Sequence, residues 1–560
     1  MKTLNTVYVL ALILLPILAY GPSLSGDFLW DDYQLINNPL IRDADGLFRI
    51  WSGREAIDYY PIYYSAFWLQ WRLWGDGTTG YHVVNLLFHI LNGLLLWRVL
   101  ARLGCRSAPL CAALFAIHPL CTATVGWVSE QKNTLSLLFA LLSALYFIRG
   151  ADDRERRLRR DSFLSAIFFA LALLTKPAVL ALPLFFAAAL MARDGLSGTI
   201  LRRKTMATLA PFFLLALCSA LVTIWFQHNR AMEGEAARVI SWAERLSLAG
   251  QAWWFYLGKA LWPFHHCMIY PMDTLSAGLH WLLPWAGWAG VLAAAFLLRV
   301  RDRRTGLHVF WGLLFFTLML APVLGFVDQG YTRFSLVAEH WTYPALPGVL
   351  LILSEALAWL IAVPRAQPVR VGAAVTAGLL LVSWLANARA ESATYADAVT
   401  FYRKAVECNP DNIVAHHNLA NELAARGNPA GALPHYRETL RIEPTFWRAH
   451  LAIASLLLEK GDLAGAGAEV EQALKLAPDE PEVSFLAGLY RGMTGDHAAA
   501  ARHFGTVWNR DPANIEALFN MALALYQSGR QPEARAALEE VLRLQPYHAR
   551  ARQVLDTKFR

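Results

Sequence analysis

The sequence lacks any paired arrangement of cysteines. Its six cysteines show no CxxC spacing, and four of them lie in or beside apolar segments, where cysteine behaves as a small hydrophobic residue. We therefore expect neither a disulfide framework nor a metal-binding knuckle. The six residues are Cys105, Cys111, Cys121, Cys218, Cys267 and Cys408.

A single basic patch is also missing. The formal net charge is +7, but the basic residues form short clusters between apolar runs, as the positive-inside rule of membrane proteins predicts. This distribution argues against a nucleic-acid partner. Hydrophobic residues make up 56% of the 560 residues, and a mean hydropathy of +0.34 is too high for a soluble protein. Membrane burial must account for the excess.

Apolar runs long enough to cross a bilayer, which needs about 20 residues, recur through the first two thirds of the chain. The first run, Val7 to Tyr20, follows Lys2 and could be a signal peptide. We favour a retained anchor because no A-x-A cleavage site follows. Eleven spans are predicted, at roughly 5–24, 82–101, 107–123, 132–149, 162–175, 178–192, 206–226, 280–299, 307–326, 343–363 and 370–387.

A cytoplasmic amino terminus agrees with the charge distribution between these spans. The apolar run 248–262, which contains Lys259, is then an interfacial helix, and the carboxyl-terminal segment lies on the far side of a bacterial inner membrane, in the periplasm, or in a lumen in a eukaryote. The far side also receives two long loops, 25–81 and 227–279, and long loops are often functional. The basic clusters placed inside are Arg98, Arg102 and Arg106, then Arg154 to Arg160, Arg202 to Lys204, Arg299 to Arg304, and Arg365 with Arg370.

The last third of the chain repeats every 34 residues. Prolines recur at 410, 444, 478, 512 and 546, and glycines at 427, 461, 495 and 529. Small residues recur at positions 8 and 20 of each unit, which is typical of tetratricopeptide repeats. Such repeats stack into an α-solenoid with a concave surface suited to extended polypeptide, although a purely structural cap is the alternative. Repeats are expected to start at Ile413, Trp447, Pro481 and Ile515, after a half unit that includes Ala398 and Tyr402.

Two features of the membrane part could carry chemistry. Asp31 and Asp32 follow the first predicted span. One of two adjacent carboxyls can hold a raised pKa, which suits a general base; alternatively, the pair can ligate a metal. Lys176 is a lone charge between Asp161 and Arg193, so we expect it near a turn at the far surface. A buried lysine there is a candidate anion ligand; snorkelling to the lipid headgroups is the alternative.

Further polar residues cluster near the same surface. His82, Asn85 and His89 share one face of the second span, where they could line a cavity or bind one another between helices. His118 and the stretch from Glu130 to Asn133, with Lys132, bracket the next far-side turn, where polar side chains could equally be solvated.

These residues resemble the bacterial relatives of the transmembrane and tetratricopeptide repeat-containing O-mannosyltransferases, in order over nearly the whole chain. Such proteins are similar to GT-C glycosyltransferases, which move a sugar from a polyprenyl phosphate carrier to an acceptor, usually with inversion. The resemblance implies an all-α fold, with a membrane domain of about eleven spans at 1–387 and a repeat domain at 388–560. Its motifs are Asp31-Asp32, Tyr81 to Leu87 with His89 and Asn92, Phe115 to Pro119, Glu130 to Ser136, Thr175-Lys176-Pro177, Leu261 to Pro263, Tyr270-Pro271 and Ala338 to Pro344.

The resemblance also implies residue roles. Asp31 or Asp32 would be the base that takes the proton of a Ser or Thr hydroxyl, and Mg²⁺ or Mn²⁺ beside them is a candidate cofactor that the reaction does not require. Lys176 would lie near the departing lipid phosphate, helped by His340 and Arg333. The remaining cavity residues would be His82, Asn85, His118, Glu130, Lys132, Glu339 and Tyr343.

The sequence departs from the relatives' pattern at several outward-facing positions. Relatives often carry arginine at position 60, glutamate at 123, arginine and aspartate at 131 and 133, and Asp-Arg-Tyr at 339–341. Here the residues are Tyr60, Ala123, Gln131, Asn133 and Glu339-His340-Trp341. The losses suggest a different donor or acceptor, or a protein without catalysis.

Two functions therefore compete. The first is a glycosyltransferase that moves a sugar, with mannose as a candidate, from a lipid-linked donor to a secreted or membrane protein held by the repeats. The second is a catalytically inactive scaffold whose repeats bind and assemble exported proteins. A transporter is less favoured because no inverted half-repeats are visible in the sequence.

Overall fold

The computed structural model describes residues 2–152, 156–194, 203–231, 241–275, 282–301, 303–327, 329–362 and 367–559. The basic residues Arg154, Arg202 and Arg365 lie outside these ranges, as do parts of the second far-side loop at 232–240 and 276–281. Every regular element in the described ranges is helical. The chain divides into two compact units, Met1–Pro410 and Asp411–Arg560.

The first unit holds eighteen described α-helices and several short helical turns. The α-helices are α1 Lys2–Tyr20, α2 Asp31–Ile36, α3 Pro39–Arg42, α4 Gly46–Ser52, α5 Pro61–Trp74, α6 Thr78–Arg102, α7 Ala108–Ala116, α8 Thr122–Val125, α9 Gln131–Asp152, α10 Arg156–Thr175, α11 Leu182–Asp194, α12 Arg203–Phe226, α13 Trp242–Leu261, α14 Leu282–Arg301, α15 Arg303–Leu320, α16 Leu346–Ala362, α17 Gln367–Thr394 and α18 Ala398–Cys408. The 3₁₀ turns are Gly21–Ser25, Pro119–Cys121, Val128–Glu130, Pro177–Val179, Met272–Thr274, Ala321–Val323, Gly330–Arg333 and Glu339–Thr342, and Gln227–Ala231 is a π-helical turn.

The number of long apolar helices is smaller than the eleven spans predicted. Among the described residues, six helices are long and apolar enough to cross a membrane, or seven if the pair Ala108–Ala116 and Pro119–Val125, bent by 51°, is one span. The expected spans at 178–192, 280–299 and 343–363 coincide with shorter apolar helices, and 162–175 is the apolar end of α10, which begins with charged residues. By length and composition, the described residues therefore contain six or seven candidate spans. The six are Asn5–Ser25, Thr78–Arg102, Val128–Gly150, Met206–Ala231, Gly306–Val323 and Gln367–Thr394.

Loop 25–81, which the sequence predicts to lie on the far side, is a folded subdomain. Four short helices, α2 to α5, carry apolar side chains such as Ile41 and Phe67 into a core of their own, which also receives Val128 and Phe226 from the membrane part. Burial of this core fixes the loop against the ends of α9 and α12. The loop therefore presents Asp31 and Asp32 from a defined surface.

The prediction that no cysteines pair was wrong. Cys267 and Cys408, 141 residues apart in sequence, form a disulfide between the second far-side loop and the end of α18. Pairing over such a distance leaves no spacing signal, so only the fold could reveal it. Asn409 also donates to the backbone oxygen of Ile269, 3.3 Å away. These links place the predicted half repeat in the first unit. The compact units divide after Pro410, whereas residue 387, the domain boundary predicted from the sequence, lies within α17.

The second unit is an array of antiparallel helix pairs. Helices begin at Ile413, Trp447, Pro481 and Ile515, the four expected repeat starts. The recurring glycines lie between the helices of each pair with φ of +75° to +86°, a left-handed conformation that favours glycine. The helices are α19 Ile413–Ala425, α20 Pro429–Ile442, α21 Trp447–Glu459, α22 Leu463–Leu476, α23 Pro481–Met493, α24 His497–Arg510, α25 Ile515–Gln527, α26 Gln531–Leu544 and α27 Ala549–Lys558.

The small residues of the repeats lie where the helices touch. Ala420, Ala454 and Ala522 are fully buried, and a Cβ added at Gly488 would come within 2.7 Å of the Phe504 ring. Larger side chains at this position would push the paired helices apart. The 34-residue pattern is therefore the packing pattern of the solenoid.

Candidate functional site

The site centres on Glu130, whose carboxylate is buried beside loop 25–81. Lys132 Nζ lies 2.8 Å from Glu130 Oε1, and Lys176 Nζ lies 3.7 Å from Oε2. His340 Nε2 lies 3.9 Å from Oε1, and the Asn133 amide donates to Oε2 at 2.5 Å. We call Asp31, Glu130, Lys132, Lys176 and His340 the Glu130 cluster. A buried carboxylate needs such partners, because an unpaired charge in this environment is costly.

Asp31 joins this cluster from the first turn of α2. Its Oδ2 lies 3.9 Å from Lys132 Nζ, and its Oδ1 accepts a hydrogen bond from the Ser129 hydroxyl at 2.7 Å. Burial raises the pKa of the Asp31 carboxyl, Lys132 counteracts this, and Glu130 adds to the rise. The side chain nevertheless keeps 40% of its surface accessible. Asp31 is thus a carboxylate of raised basicity that an incoming molecule can touch.

Asp32 has a different environment. It is fully buried, and its two carboxylate oxygens accept backbone N–H groups, Oδ2 from Leu29 at 3.0 Å and Oδ1 from Ser129 at 2.6 Å. The bonds tie the loop before α2 to the turn that carries Glu130. The structure therefore separates the aspartate pair: Asp31 faces outward, and Asp32 holds the two segments together.

The backbone just before the pair is strained. Trp30 has a φ of +41°, and no other residue except glycine has a positive φ in the part of the chain that the structure describes. Its N–H donates to the Tyr402 hydroxyl at 2.8 Å, and its ring stacks on Trp127 at a centroid distance of 5.8 Å. Strain of this kind persists only where the surroundings impose it, and it is common at functional sites.

Lys176 lies in the turn after α10, as the sequence predicted. Ser136 on α9 donates to the backbone oxygens of both Ala172 and Lys176, which fixes the turn against α9. The Lys176 side chain is 14% exposed, and burial lowers its pKa to about 8, although Glu130 counteracts the shift. At neutral pH the Lys176 ammonium group is mostly protonated, but a small rise in pH would begin to deprotonate it.

His340 and Arg333, the expected helpers of Lys176, differ in position. Burial, reinforced by the two lysines, lowers the pKa of His340 to about 4, so its ring is neutral at neutral pH and can supply only a hydrogen bond. Arg333 is exposed, with its guanidinium carbon 4.5 Å from the centroid of Phe334, whose ring contacts Trp30 at 5.2 Å.

Glu339 belongs to a second cluster beside the disulfide. It accepts hydrogen bonds from His266 at 2.8 Å, Tyr270 at 2.5 Å and the backbone N–H of Cys267 at 3.4 Å. Lys259 Nζ lies 3.8 Å away. Burial would raise the pKa of Glu339, but His266 and Lys259 hold it below its usual range. We call Glu339, His266, Tyr270 and Lys259 the Glu339 cluster.

The remaining expected cavity residues are packed between helices. Asn85 donates to backbone oxygens of Thr124 and Val125 at 2.7 and 3.0 Å and accepts from the Thr134 hydroxyl. His118 bonds the Leu120 N–H and the Ala260 oxygen. The positions of these residues agree with the interhelical alternative. Their exposed fractions are 1% for His82, 0% for Asn85, 0% for His118 and 1% for Tyr343.

The aspartate pair is poorly arranged for a divalent ion. Both oxygens of Asp32 already accept backbone N–H groups, and Lys132 approaches the outward oxygen of Asp31. A Mg²⁺ or Mn²⁺ ion prefers several free oxygen ligands, which this pair does not offer. The metal prediction made from the sequence stays untested.

Sequence reasoning did not single out Asp58 and Gln227. Gln227, in the π-helical turn after α12, donates to Asp58 Oδ1 at 2.6 Å and accepts the Gly330 N–H at 3.1 Å. Burial raises the pKa of Asp58, and both Lys132 and Lys176 counteract the rise, so its carboxyl lies within their field. A π-turn often marks a functional site, but it leaves no sequence signal that could have been read.

These groups define a membrane protein with a polar, charged site at one end of its helices and a repeat solenoid at its carboxyl end. Comparison with known proteins agrees with this description. The family described as "Dolichyl-phosphate-mannose-protein mannosyltransferase" matches residues 61–227, and tetratricopeptide repeat families match 401–433, 423–489 and 493–556. The first match contains Glu130, Lys132 and Lys176 and begins after Asp31.

The resemblance expected from the sequence is confirmed by curated relatives. The chain is similar to Protein O-mannosyl-transferase F38B6.6 of Caenorhabditis elegans, 30% identical over 159 residues, which cover 26% of this chain and 23% of that protein. It is also similar to human TMTC1 (30% over 151 residues; 24% and 17% covered) and human TMTC4 (28% over 191 residues; 29% and 26% covered), both named as protein O-mannosyl-transferases. The matched parts thus span about a quarter or less of these relatives' own length.

Solved structures with some likeness include tetratricopeptide repeat proteins. YrrB, described as a TPR protein with an unusual peptide-binding site, is 20% identical, with 28% of this chain and 82% of that chain covered and a TM-score of 0.26. MamA is 19% identical, with 29% and 94% covered and a TM-score of 0.26. At such scores the likeness adds no argument to the repeat assignment.

Proposed function

We propose that this protein is a membrane glycosyltransferase that moves a sugar, with mannose as the candidate, from a polyprenyl phosphate carrier to a Ser or Thr hydroxyl of a protein. One observation carries the proposal. The chain of charges from Asp31 through Lys132 and Glu130 to Lys176 joins an accessible base to two lysines, each link being 3.9 Å or less. The names of the relatives suggest mannose as the sugar, and the charged side chains offer a base and cations for a phosphate.

The lysines provide the anion site. Lys132 and Lys176 both contact the one Glu130 carboxylate, so either ammonium group can turn to donate to the phosphodiester of a lipid-linked sugar. Lys176 would move from Glu130 to the phosphate and offset the negative charge that grows on it as the bond to the sugar breaks.

Asp31 would act as the general base. The acceptor hydroxyl oxygen attacks the anomeric carbon, the carbon–oxygen bond to the phosphate breaks, and the lipid phosphate leaves with the bonding electrons. The hydroxyl proton passes to Asp31, whose raised pKa suits this transfer. Attack opposite the leaving phosphate inverts the sugar carbon. Asp32 holds the backbone that carries Asp31 and does not touch the reactants.

An apolar cavity of about 380 Å³ offers space for part of the isoprenoid chain. It is lined by residues of α6, α9, α11, α15 and α16, and it includes Leu137, one turn beyond Asn133, and Val179, three residues after Lys176. A lipid tail in this cavity would place its phosphate beside Lys176. The repeats would bind the acceptor polypeptide, since stacked helix pairs form a concave surface.

The site would face an oxidising compartment. The Cys267–Cys408 disulfide lies beside Glu339, adjacent in sequence to His340 of the Glu130 cluster, and disulfides persist in the periplasm or a lumen. The eleven-span arrangement with a cytoplasmic amino terminus would put both the site and the repeats there. Its additional spans would be the shorter apolar helices and the apolar end of α10.

Replacement of Asp31 tests the enzyme. Asp31→Asn should lower the transfer rate about 10²- to 10⁴-fold, the usual contribution of a general base. The matched control is Asp76→Asn, an aspartate of the same loop whose side chain is 82% exposed. Transfer is measured with a polyprenyl phosphate mannose donor and by intact mass of exported proteins. Equal rates for the two variants would remove Asp31 from the mechanism.

The alternative, an inactive scaffold, is favoured by the neutral residues Asn133 and His340 where relatives carry charged ones. Both nevertheless contact the Glu130 carboxylate, and its two lysines are retained. A scaffold would show no sugar transfer in the unmodified protein, while substitutions on the concave face of the repeats would still release bound exported proteins.

A further inference from the structure

We propose that Cys105, His308 and Glu355 form a zinc site, at the end of the helices away from Lys176. One ligand atom from each residue can be chosen so that all three lie within 4.8 Å of one another. The three residues lie 203 and 47 positions apart in sequence and come from the loop after α6, the first turns of α15 and the middle of α16. The inference is independent of the proposed transfer reaction.

The possible ligand atoms of the three residues lie within reach of a common ion. Cys105 Sγ lies 3.9 Å from His308 Nε2, and His308 Nδ1 lies 3.4 Å from Glu355 Oε1. With Zn–S near 2.3 Å and Zn–N or Zn–O near 2.0–2.2 Å, the edges of a tetrahedral site are about 3.2–3.7 Å. These two distances involve different ring nitrogens, so the imidazole would turn on metal binding until one nitrogen is directed at a common centre.

The surroundings prepare the carboxylate as a ligand. The Ser107 hydroxyl donates to Glu355 Oε1 at 2.8 Å, and the Ser354 hydroxyl donates to Ser107 in turn at 3.0 Å. Hydrogen bonds of this kind orient the ligands of metal sites. Each ring nitrogen of His308 faces one of the other two residues, Nε2 the Cys105 thiol and Nδ1 the Glu355 carboxylate, so the imidazole already lies between them.

Charge balance favours a divalent ion at this place. Cys105 is 6% exposed and Glu355 8%, so a Cys105 thiolate formed on metal binding, together with the Glu355 carboxylate, would require positive charge beside them. A divalent cation neutralises both charges. Thiolate together with imidazole selects zinc over magnesium or calcium, which prefer oxygen ligands.

The site would close one end of the apolar cavity. Cys105 and His308 line that cavity together with residues near Lys176 at its other end. Three protein ligands leave a fourth position for water, on the cavity side. Zinc would therefore join the loop after α6, the beginning of α15 and the middle of α16, and fix the width of the cavity between them.

The test is metal content of the full-length protein in detergent, without an affinity tag. After treatment with a chelator, incubation with zinc chloride and desalting, the unmodified protein should retain about one zinc per chain, as expected for one site. Cys105→Ser/His308→Ala should retain less than about a tenth of this, because two of three ligands are lost. The matched control Cys218→Ser, which removes an exposed free cysteine, should bind as the unmodified protein does.

Cobalt(II) gives a second readout that does not require the double variant to fold. The unmodified protein loaded with cobalt should show thiolate-to-metal charge-transfer absorption, and Cys105→Ser alone should lose it. Zinc content in the double variant equal to that of the unmodified protein would overturn the proposal. Absence of the charge-transfer band from the unmodified protein would overturn it as well.

Discussion

Glu130 and Glu339 are two buried glutamates that differ in how their charge is held. Glu339, beside a disulfide, accepts hydrogen bonds from the His266 ring, the Tyr270 hydroxyl and the Cys267 backbone N–H, with one lysine farther away at 3.8 Å. Glu130 is balanced mainly by two lysines, and long lysine side chains can turn toward another anion. The Glu339 cluster therefore has a fixed arrangement, whereas a lysine of the Glu130 cluster can leave Glu130 and bind a ligand.

Between the two clusters, the largest expected difference lies in their lysines. Lys176→Met should lower the transfer rate about 10²- to 10³-fold, as loss of a group that stabilises developing charge does elsewhere. The matched variant Lys259→Met, in the Glu339 cluster, should change the rate by less than about tenfold, because Lys259 does not face the reactants. Steady-state transfer rates decide the comparison. Equal losses in both variants would contradict the separation of the clusters.

The disulfide should matter for stability more than for chemistry. Cys267→Ser/Cys408→Ser should lower the free energy of unfolding by about 2–4 kcal/mol, since the bond closes a long loop in the unfolded chain. The transfer rate of the folded fraction should change little. Thermal unfolding in detergent measures the first effect, with Cys218→Ser as control. A double variant as stable as that control, yet without transfer, would show that the Glu339 cluster takes part in the reaction.

Asp31 and Asp32 can likewise be separated into a residue of the reaction and a residue of the fold, with smaller expected effects on stability. Asp32→Asn should lower the free energy of unfolding by about 1–3 kcal/mol, because its amide NH₂ would face one of two backbone N–H donors. Asp31→Asn should be close to neutral for stability. Thermal unfolding of both variants is compared with Asp45→Asn, whose side chain is 72% exposed. If Asp32→Asn is stable and inactive, Asp32 and not Asp31 is the base.

The smallest effect is a shift of the pH profile. Asp31 must be ionised to accept a proton, so the rate should fall as pH decreases through its raised pKa. Lys176 must be protonated, so the rate should also fall as pH rises through about 8. In Lys176→Arg the alkaline limb should move upward by at least about one pH unit, since guanidinium stays charged above pH 12. An alkaline limb that stays in place would show that another group titrates there.

Parts of this architecture could be predicted because they depend on local patterns. The 34-residue period identified the helix starts of the repeats, since each unit repeats the same packing. Lys176 was placed in a turn because a span of 30 residues around a lysine is too long for a bilayer. The eleven spans were less secure, because hydropathy does not tell a short apolar helix from a crossing one.

The individual roles within the site could not be predicted in the same way. Asp31 and Asp32 are adjacent in sequence and chemically identical, and only the backbone N–H groups of Leu29 and Ser129 distinguish them. Glu339 and His340 are likewise neighbours, yet the carboxylate joins one cluster and the imidazole the other. The pairing of Cys267 with Cys408 and the approach of Asp58 also depend on segments far apart in sequence.

By itself, the sequence determined the membrane character, the repeat solenoid and the set of polar residues available for chemistry, because apolar runs and small-residue periods act locally. The tertiary structure alone decided which carboxylate is exposed, which lysines share a partner and which cysteines bond or gather near a histidine. The physical reason is that pKa values, ion pairs and ligand sets depend on distances of a few ångströms between residues that the sequence places tens or hundreds of positions apart.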